Sequence, residues 1–257
     1  MSFDVVLSVF FLAGDLNHAR AMLRDGRFPE ALREMEDAMR EAPGDPEIQY
    51  QIGELLREQA AGRAARLEEL APNSAEAHEL LGRSLDARGN LDEALAAYRA
   101  AISKNPRLPG VHFLMGNIQW KRRDFEAAKP EMEAELLLNP HHALANLRLG
   151  QILLAMDQPG PAADRLRDAV RADDSSIEAH RALGKAFRAL GNNAGALQEF
   201  RIVAGRRPQD DSVHAQLAAV YRSLGKPELV KAEIEKHRRL LQEKKDAARK
   251  TSPATAR

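Results

Sequence analysis

The chain has 257 residues, no cysteine, and equal numbers of basic and acidic side chains, 38 of each. Zero net charge argues against a general nucleic-acid binder, whose domain is ordinarily basic. The missing thiols exclude disulfides, cysteine nucleophiles and cysteine-ligated metal sites.

Residues 5–13, VVLSVFFLA, are the most hydrophobic run. The run is far short of the ~20 residues of a membrane-crossing helix. Its leader holds Asp4 and no Lys or Arg, unlike a secretory signal. We read residues 1–14 as an apolar helix packed on the first helix pair, in a cytoplasmic protein with no stable membrane span. Export is the alternative if residues 1–21 act as an atypical signal.

Residues 15–73 read as two degenerate or shortened helix pairs. In the first, Ala19, Ala31, Met35, Ala38 and Pro43 sit in the slots that Gly82, Ala94, Tyr98, Ala101 and Pro106 hold later, Gly26 supplies a turn, and Pro29 sits near a helix start, where a missing N–H is harmless. The second pair lacks five residues between Leu56 and Leu67. Residues 46–71 are compatible with one continuous helix or with two. This segment is acidic: residues 15–72 carry 13 acidic and 8 basic side chains, while residues 226–257 carry 5 and 10.

Residues 74–210 contain four regular repeats, Ala75–Leu108, Pro109–His142, Ala143–Ser176 and Ile177–Asp210. Each reads as two amphipathic helices around a short turn. Asn105-Pro106 and Asn139-Pro140 end helices, because proline disfavours a helical residue before it. Asp174 is a candidate cap for the helix that follows it. Gly89, Gly191 and Gly225 suit turns that need positive φ. Residues 211–246 form a last repeat whose second helix, from Pro227 to about Lys245, reads as a cap with a polar outer face. Residues 247–257 have little to bury and are expected to be disordered.

A fixed interval ties these elements together. Gly82, Gly116, Gly150 and Gly184 are 34 residues apart, with Ala218 in the next slot. Ala94, Ala128, Ala162 and Ala196 keep the same step, as do Tyr98, Met132, Leu166 and Phe200. A small residue lets two helices approach, and the large one fills the space beside the contact. One such pair cannot bury its apolar face alone, so pairs stack.

Leu81-Gly82, Ala94, Tyr98, Ala101 and Pro106 occupy the slots of the tetratricopeptide repeat, and the resemblance covers about residues 12–240. It implies an all-α, right-handed α-solenoid of stacked helix–turn–helix repeats, with about 14 helices in a superhelix. The implied function is a non-catalytic scaffold without cofactor or metal, whose concave surface, lined by each repeat's first helix, holds a peptide or helix of a protein partner. The alternative is a structural component of a bacterial envelope or secretion complex. Two specialised forms of the groove fit poorly. A Lys/Asn carboxylate clamp would need lysine where Phe113 stands, and an asparagine ladder meets Leu80, Leu114, Arg148, Ala182 and Gln216 instead.

The helical period selects a stripe on the first helices. Phe113, Asn117, Trp120 and Lys121 share it in the second regular repeat. Leu147, Gln151 and Leu154 come next along the chain, then Arg181, Lys185 and Arg188. These ten are the candidate partner-binding residues. They suggest a ligand with an apolar anchor and an acidic segment. Trp120, the single tryptophan, faces either this groove or the interface between repeats. The same repeat carries three irregularities: Gln119 and Glu135 in apolar or small slots, and Pro130 inside a helix.

No phosphate loop, nucleophile elbow or zinc-protease helix is present. His78, His112, His180 and His214 share one slot, about 10 Å apart between neighbouring repeats, far beyond the ~2 Å of metal–nitrogen bonds. They read as packing residues. The carboxylates read as solvated outer faces at intervals that vary between repeats.

Overall fold

The computed structural model describes residues 16–41, 45–57 and 71–251. These contain thirteen helices and no strand. They are α1 (16–24), α2 (Phe28–Glu41), α3 (46–57), α4 (Ala75–Ala87), α5 (Leu91–Lys104), α6 (Val111–Lys121) and α7 (Phe125–Leu138). Then come α8 (Ala143–Ala155), α9 (Pro159–Ala172), α10 (Ile177–Ala189), α11 (Asn193–Arg206), α12 (Asp211–Ser223) and α13 (Pro227–Thr251). The expected apolar helix over 1–14 lies outside the described residues, as does 58–70, on which the one-helix-or-two alternative depends.

The protein is an all-α solenoid of helical repeats. It divides between Ser84 and Leu85 into two units. In the first, Leu16, Ala19, Met35, Ile48 and Leu55 share one buried cluster with Phe28 against it. In the second, helices pack as sequential pairs, α6 with α7, α8 with α9, α10 with α11 and α12 with α13, and each pair packs on the next. First helices also meet first helices, α6 with α8 and α8 with α10. Their outer sides therefore make one continuous face.

The period-34 glycines act at the helix crossings. A Cβ on Gly116 would lie 2.9 Å from Met132 Cε, one on Gly150 2.4 Å from Leu166 Cγ, and one on Gly184 2.7 Å from Phe200 Cε1. The large residue of each second helix thus lies directly over the glycine of the first. Met132, Leu166 and Phe200 are fully buried. Close packing of this kind leaves no room for a methyl group without displacement.

The turns inside the repeats are uniform where the sequence is not. Gly89, Arg123, Asp157, Gly191 and Gly225 stand 34 residues apart, and all five have positive φ, 82°, 62°, 55°, 73° and 67°. In each turn the third residue beyond the helix donates back across five residues. Asn90 N–H reaches Leu85 O, Asp124 reaches Gln119, Gln158 reaches Leu153, Asn192 reaches Phe187 and Lys226 reaches Tyr221, at 2.8–3.0 Å. This is a Schellman closure, which needs a left-handed residue. The second and third repeats force Arg123 and Asp157 into it.

Side-chain caps start α7, α8, α10 and α11. Asp124 accepts from Ala127 N–H at 3.1 Å and Asn192 from Gly195 at 3.0 Å. His142 Nδ1 accepts from Ala145 at 3.1 Å. At α10 the cap is Ser176, accepting from Ala179, rather than the expected Asp174. The chain needs two more turn residues before the helix begins. Pro130 sits within α7, which remains one helix from Phe125 to Leu138. Glu135, 1% exposed, accepts the N–H of Gly110 at 3.0 Å, at the start of α6. The expected end of α13 near Lys245 is corrected to Thr251. KKDAARK is rich in helix formers, and the helix outlasts its burial. Residues 252–257 lie outside the described region.

Candidate functional site

The first helices of the second unit carry the predicted stripe. Phe113 and Trp120 on α6 and Leu154 on α8 are half-buried, each resting on the core cluster. The Phe113 ring lies 4.8 Å from the His142 ring, tilted by 31°. Asn117 is half-buried between Phe113 and Trp120 in sequence. Lys121 is exposed, with Nζ 4.0 Å from Asp86.

Leu147 is corrected: it is 2% exposed and belongs to the core, not to an open stripe. Its equivalent Arg181 carries a charge that is costly to enclose, whereas a leucine gains about 1.5–3 kcal/mol from full burial. Trp120 takes neither of the two expected positions outright. Its body packs on the core, and the Arg148 guanidinium lies 4.1 Å from its ring centroid. Arg148 is held there from both sides. It donates to Gln151 Oε1 at 2.8 Å and to Glu178 Oε1 at 3.1 Å, while Gln151 Nε2 donates to the same Glu178 oxygen at 2.7 Å. A cation stacked on an aromatic face and tied to a carboxylate is a rigid platform. It spans α6, α8 and α10.

Arg181 is engaged as well. It donates to Asp210 and, at 2.5 Å, to Ser212 Oγ, so it ties α10 to the start of α12. Partial burial would raise the Asp210 carboxyl, but hydrogen bonds from Arg181 and Ser212 and the Arg181 charge outweigh that and hold it down to about 2. Beside this pair is a cleft of about 690 Å³ lined by Ile177, Arg181, Arg206, Arg207, Asp210 and Lys244. Lys185 and Arg188, one and two turns further along α10, are exposed. The structure thus brings Trp120 and Gln151 together through Arg148. It leaves Lys185 and Arg188 apart from that network.

The histidines have partners that the helical period alone does not reveal. His112 Nδ1 is 2.8 Å from Glu131, His180 Nδ1 is 2.6 Å from Glu199, and His214 Nδ1 is 2.6 Å from Glu233. Each pair spans 19 residues and joins the two helices of one repeat. His180, Glu199, His214 and Glu233 are all buried. His180 Nε2 also lies 2.9 Å from Asp174 O, a pure acceptor, so that nitrogen carries a hydrogen. Asn146 fills the slot in the third regular repeat and donates to the carbonyls of Pro140 and His142. Among the described residues no group of three His, Cys, Asp or Glu side chains is arranged to hold a metal, and no helix is long and apolar enough to cross a membrane.

Comparison with known proteins agrees with this geometry. A family profile described as tetratricopeptide repeat matches residues 16–60, 113–159 and 153–211, and a second, described as TPR repeat, matches 82–122. A human protein, tetratricopeptide repeat protein 7B, is 30% identical over 112 residues. That match spans 44% of this chain and 13% of the human protein's length. Among solved structures, YrrB, described as a TPR protein with an unusual peptide-binding site, superposes with a TM-score of 0.65 at 20% identity, covering 69% of this chain and 91% of that one. MamA superposes with a TM-score of 0.61 at 17% identity, over 65% and 97%. At such identities the likeness is one of fold.

Proposed function

The chain belongs to the tetratricopeptide repeat family, and on that premise we propose that it is a non-catalytic scaffold that holds a peptide or helix of another protein along the first helices of its second unit. Proteins of this family are generally non-catalytic scaffolds. The supporting observation is the stripe itself. Phe113, Trp120 and Leu154 are half-buried apolar residues on one continuous face, flanked by exposed Lys185 and Arg188. Aromatic side chains seated on a rigid support, with polar groups at the margin, make favourable anchor points. The partner is an apolar anchor seated near Trp120 followed by an acidic segment toward α10. YrrB, of the same fold, is described as having a peptide-binding site, which fits a groove of this type.

Site-directed photo-crosslinking in cells tests the proposal. A photoreactive residue at Asn117 should yield a defined adduct that disappears with Trp120→Ala. The same residue at Leu137, 84% exposed on α7 and outside the stripe, should not. Equal adducts from both positions, or adducts insensitive to Trp120→Ala, would remove the groove from the account.

A further inference from the structure

Several surface arginines on the helices of this chain are paired with a nearby acid. Arg40 donates to Asp37 at 2.8 Å, Arg167 to Asp164 at 2.6 Å, and Arg239 lies 3.8 Å from Glu243, all three or four residues apart. Lys185, Arg188 and Arg222 differ. All three are exposed, and none has an acidic residue three or four positions away. Lys185 and Arg188 instead repel each other at i,i+3, which disfavours the helix slightly. Several acids near them are already engaged: Glu178 by Arg148, Glu199 by His180, Asp210 by Arg181, and Asp211 by Lys244; Glu228 and Glu235 on α13, which packs on α12, lie outside these pairs. Arg181, which the sequence groups with Lys185 and Arg188, drops out of the free set for the same reason.

Arg188 and Arg222 also occupy one repeat slot, 34 residues apart. The two preceding occupants of that slot are Leu154 and Trp120. Asp86 opens the slot in the second unit, and from α6 onward it is aromatic, aliphatic, cationic, cationic. Adjacent slots lie about 10 Å apart, and an extended chain advances about 3.3 Å per residue. A bound strand meets a new slot every three residues.

Building on the groove reading, we propose that the second unit selects an extended segment with a period-three pattern, two apolar residues followed by two acidic ones, whose carboxylates pair with Arg188 and Arg222 while Lys185 adds to the field. These cations, which have no acidic partner among the described residues, fix both the class of ligand and its direction along the solenoid. The unpaired charges are what the segment neutralises, so its capture depends on ionic strength.

The test uses three fluorescein-labelled 14-residue peptides with leucines at positions 3 and 6, and glutamate, glutamine or lysine at positions 9 and 12. Binding to the full chain is read by fluorescence anisotropy at 50 and 300 mM NaCl. At 50 mM the glutamate peptide should bind about tenfold tighter than the glutamine peptide, the size expected of two exposed ion pairs, and the margin should shrink at 300 mM. K185E/R188E/R222E should transfer the preference to the lysine peptide. The neutral set K185Q/R188Q/R222Q should abolish it, with the melting curve of either variant unchanged. Equal binding of the glutamate and glutamine peptides, or a preference that survives both variant sets, overturns the proposal. If both peptides bind equally but Trp120→Ala weakens them, only the acidic specificity fails. If no peptide binds, the groove fails with it.

Discussion

The buried pair His180–Glu199 lends itself to a double-mutant cycle. The two side chains are 4% and 7% exposed, meet at 2.6 Å, and the ring is fixed at its other end by Asp174 O at 2.9 Å. Replacing His180 with leucine strands a carboxylate among apolar residues, and breaking a buried pair from one side costs about 3–5 kcal/mol. Replacing Glu199 with leucine should cost less, about 1–2 kcal/mol, because the ring keeps its contact with Asp174 O and loses only one hydrogen bond. The double variant removes both polar groups and should cost no more than the worse single one, which sets a coupling energy of at least about 1–2 kcal/mol. Urea unfolding followed by helical circular dichroism reads the global loss. Amide exchange in α10 and α11 reads the local one, which matters because repeat arrays lose stability unit by unit. Additive single losses, within about 0.5 kcal/mol, would mean that the pair is not an energetic link between the two helices.

Three further outcomes are expected from the geometry. Arg123→Gly and Asp157→Gly should each raise stability by up to about 1 kcal/mol in thermal or urea unfolding, since both residues sit at positive φ. Gly150→Ala should cost about 1–3 kcal/mol because its Cβ would meet Leu166 at 2.4 Å, and Leu166→Ala, which alone should cost about 2–5 kcal/mol, should cost less in that background. Asp210 has a folded-state pKa held down from 3.8 to about 2. Its contribution is therefore present above pH 4 and lost as pH falls from about 4 to about 2. Asp210→Asn should flatten that part of the acid-unfolding profile, and an unchanged profile would deny the Arg181–Asp210 link a role.

The repeat architecture is legible in the sequence because steric requirements recur at fixed spacing. Gly116, Gly150 and Gly184 announce their helix crossings in the sequence alone. Arg123 and Asp157 do not announce their left-handed turns, because the backbone closure is imposed by the flanking helices rather than by the residue itself. The His–Glu pairs are legible in principle, since 112/131, 180/199 and 214/233 keep one offset of 19. They escape notice because exposed carboxylates are so numerous that a repeated offset must be sought deliberately. Leu147 cannot be placed from the period alone. Its slot faces outward when filled by Arg181 and inward when filled by leucine. Arg148 over Trp120, and its tether to Glu178 thirty residues on, depend on the spacing between repeats, which no single helix reveals.

Residues Ile177–Asp210 hold within one 34-residue length the left-handed Gly191, the Gly184–Phe200 contact and the His180–Glu199 pair. They end in Asp210, already the cap of the next helix. Copies of this block joined head to tail would meet through surfaces each already possesses. Every added copy would contribute another Lys185–Arg188 couple at the same pitch. Such a filament would be a molecular ruler, its electrostatic reach graduated by copy number.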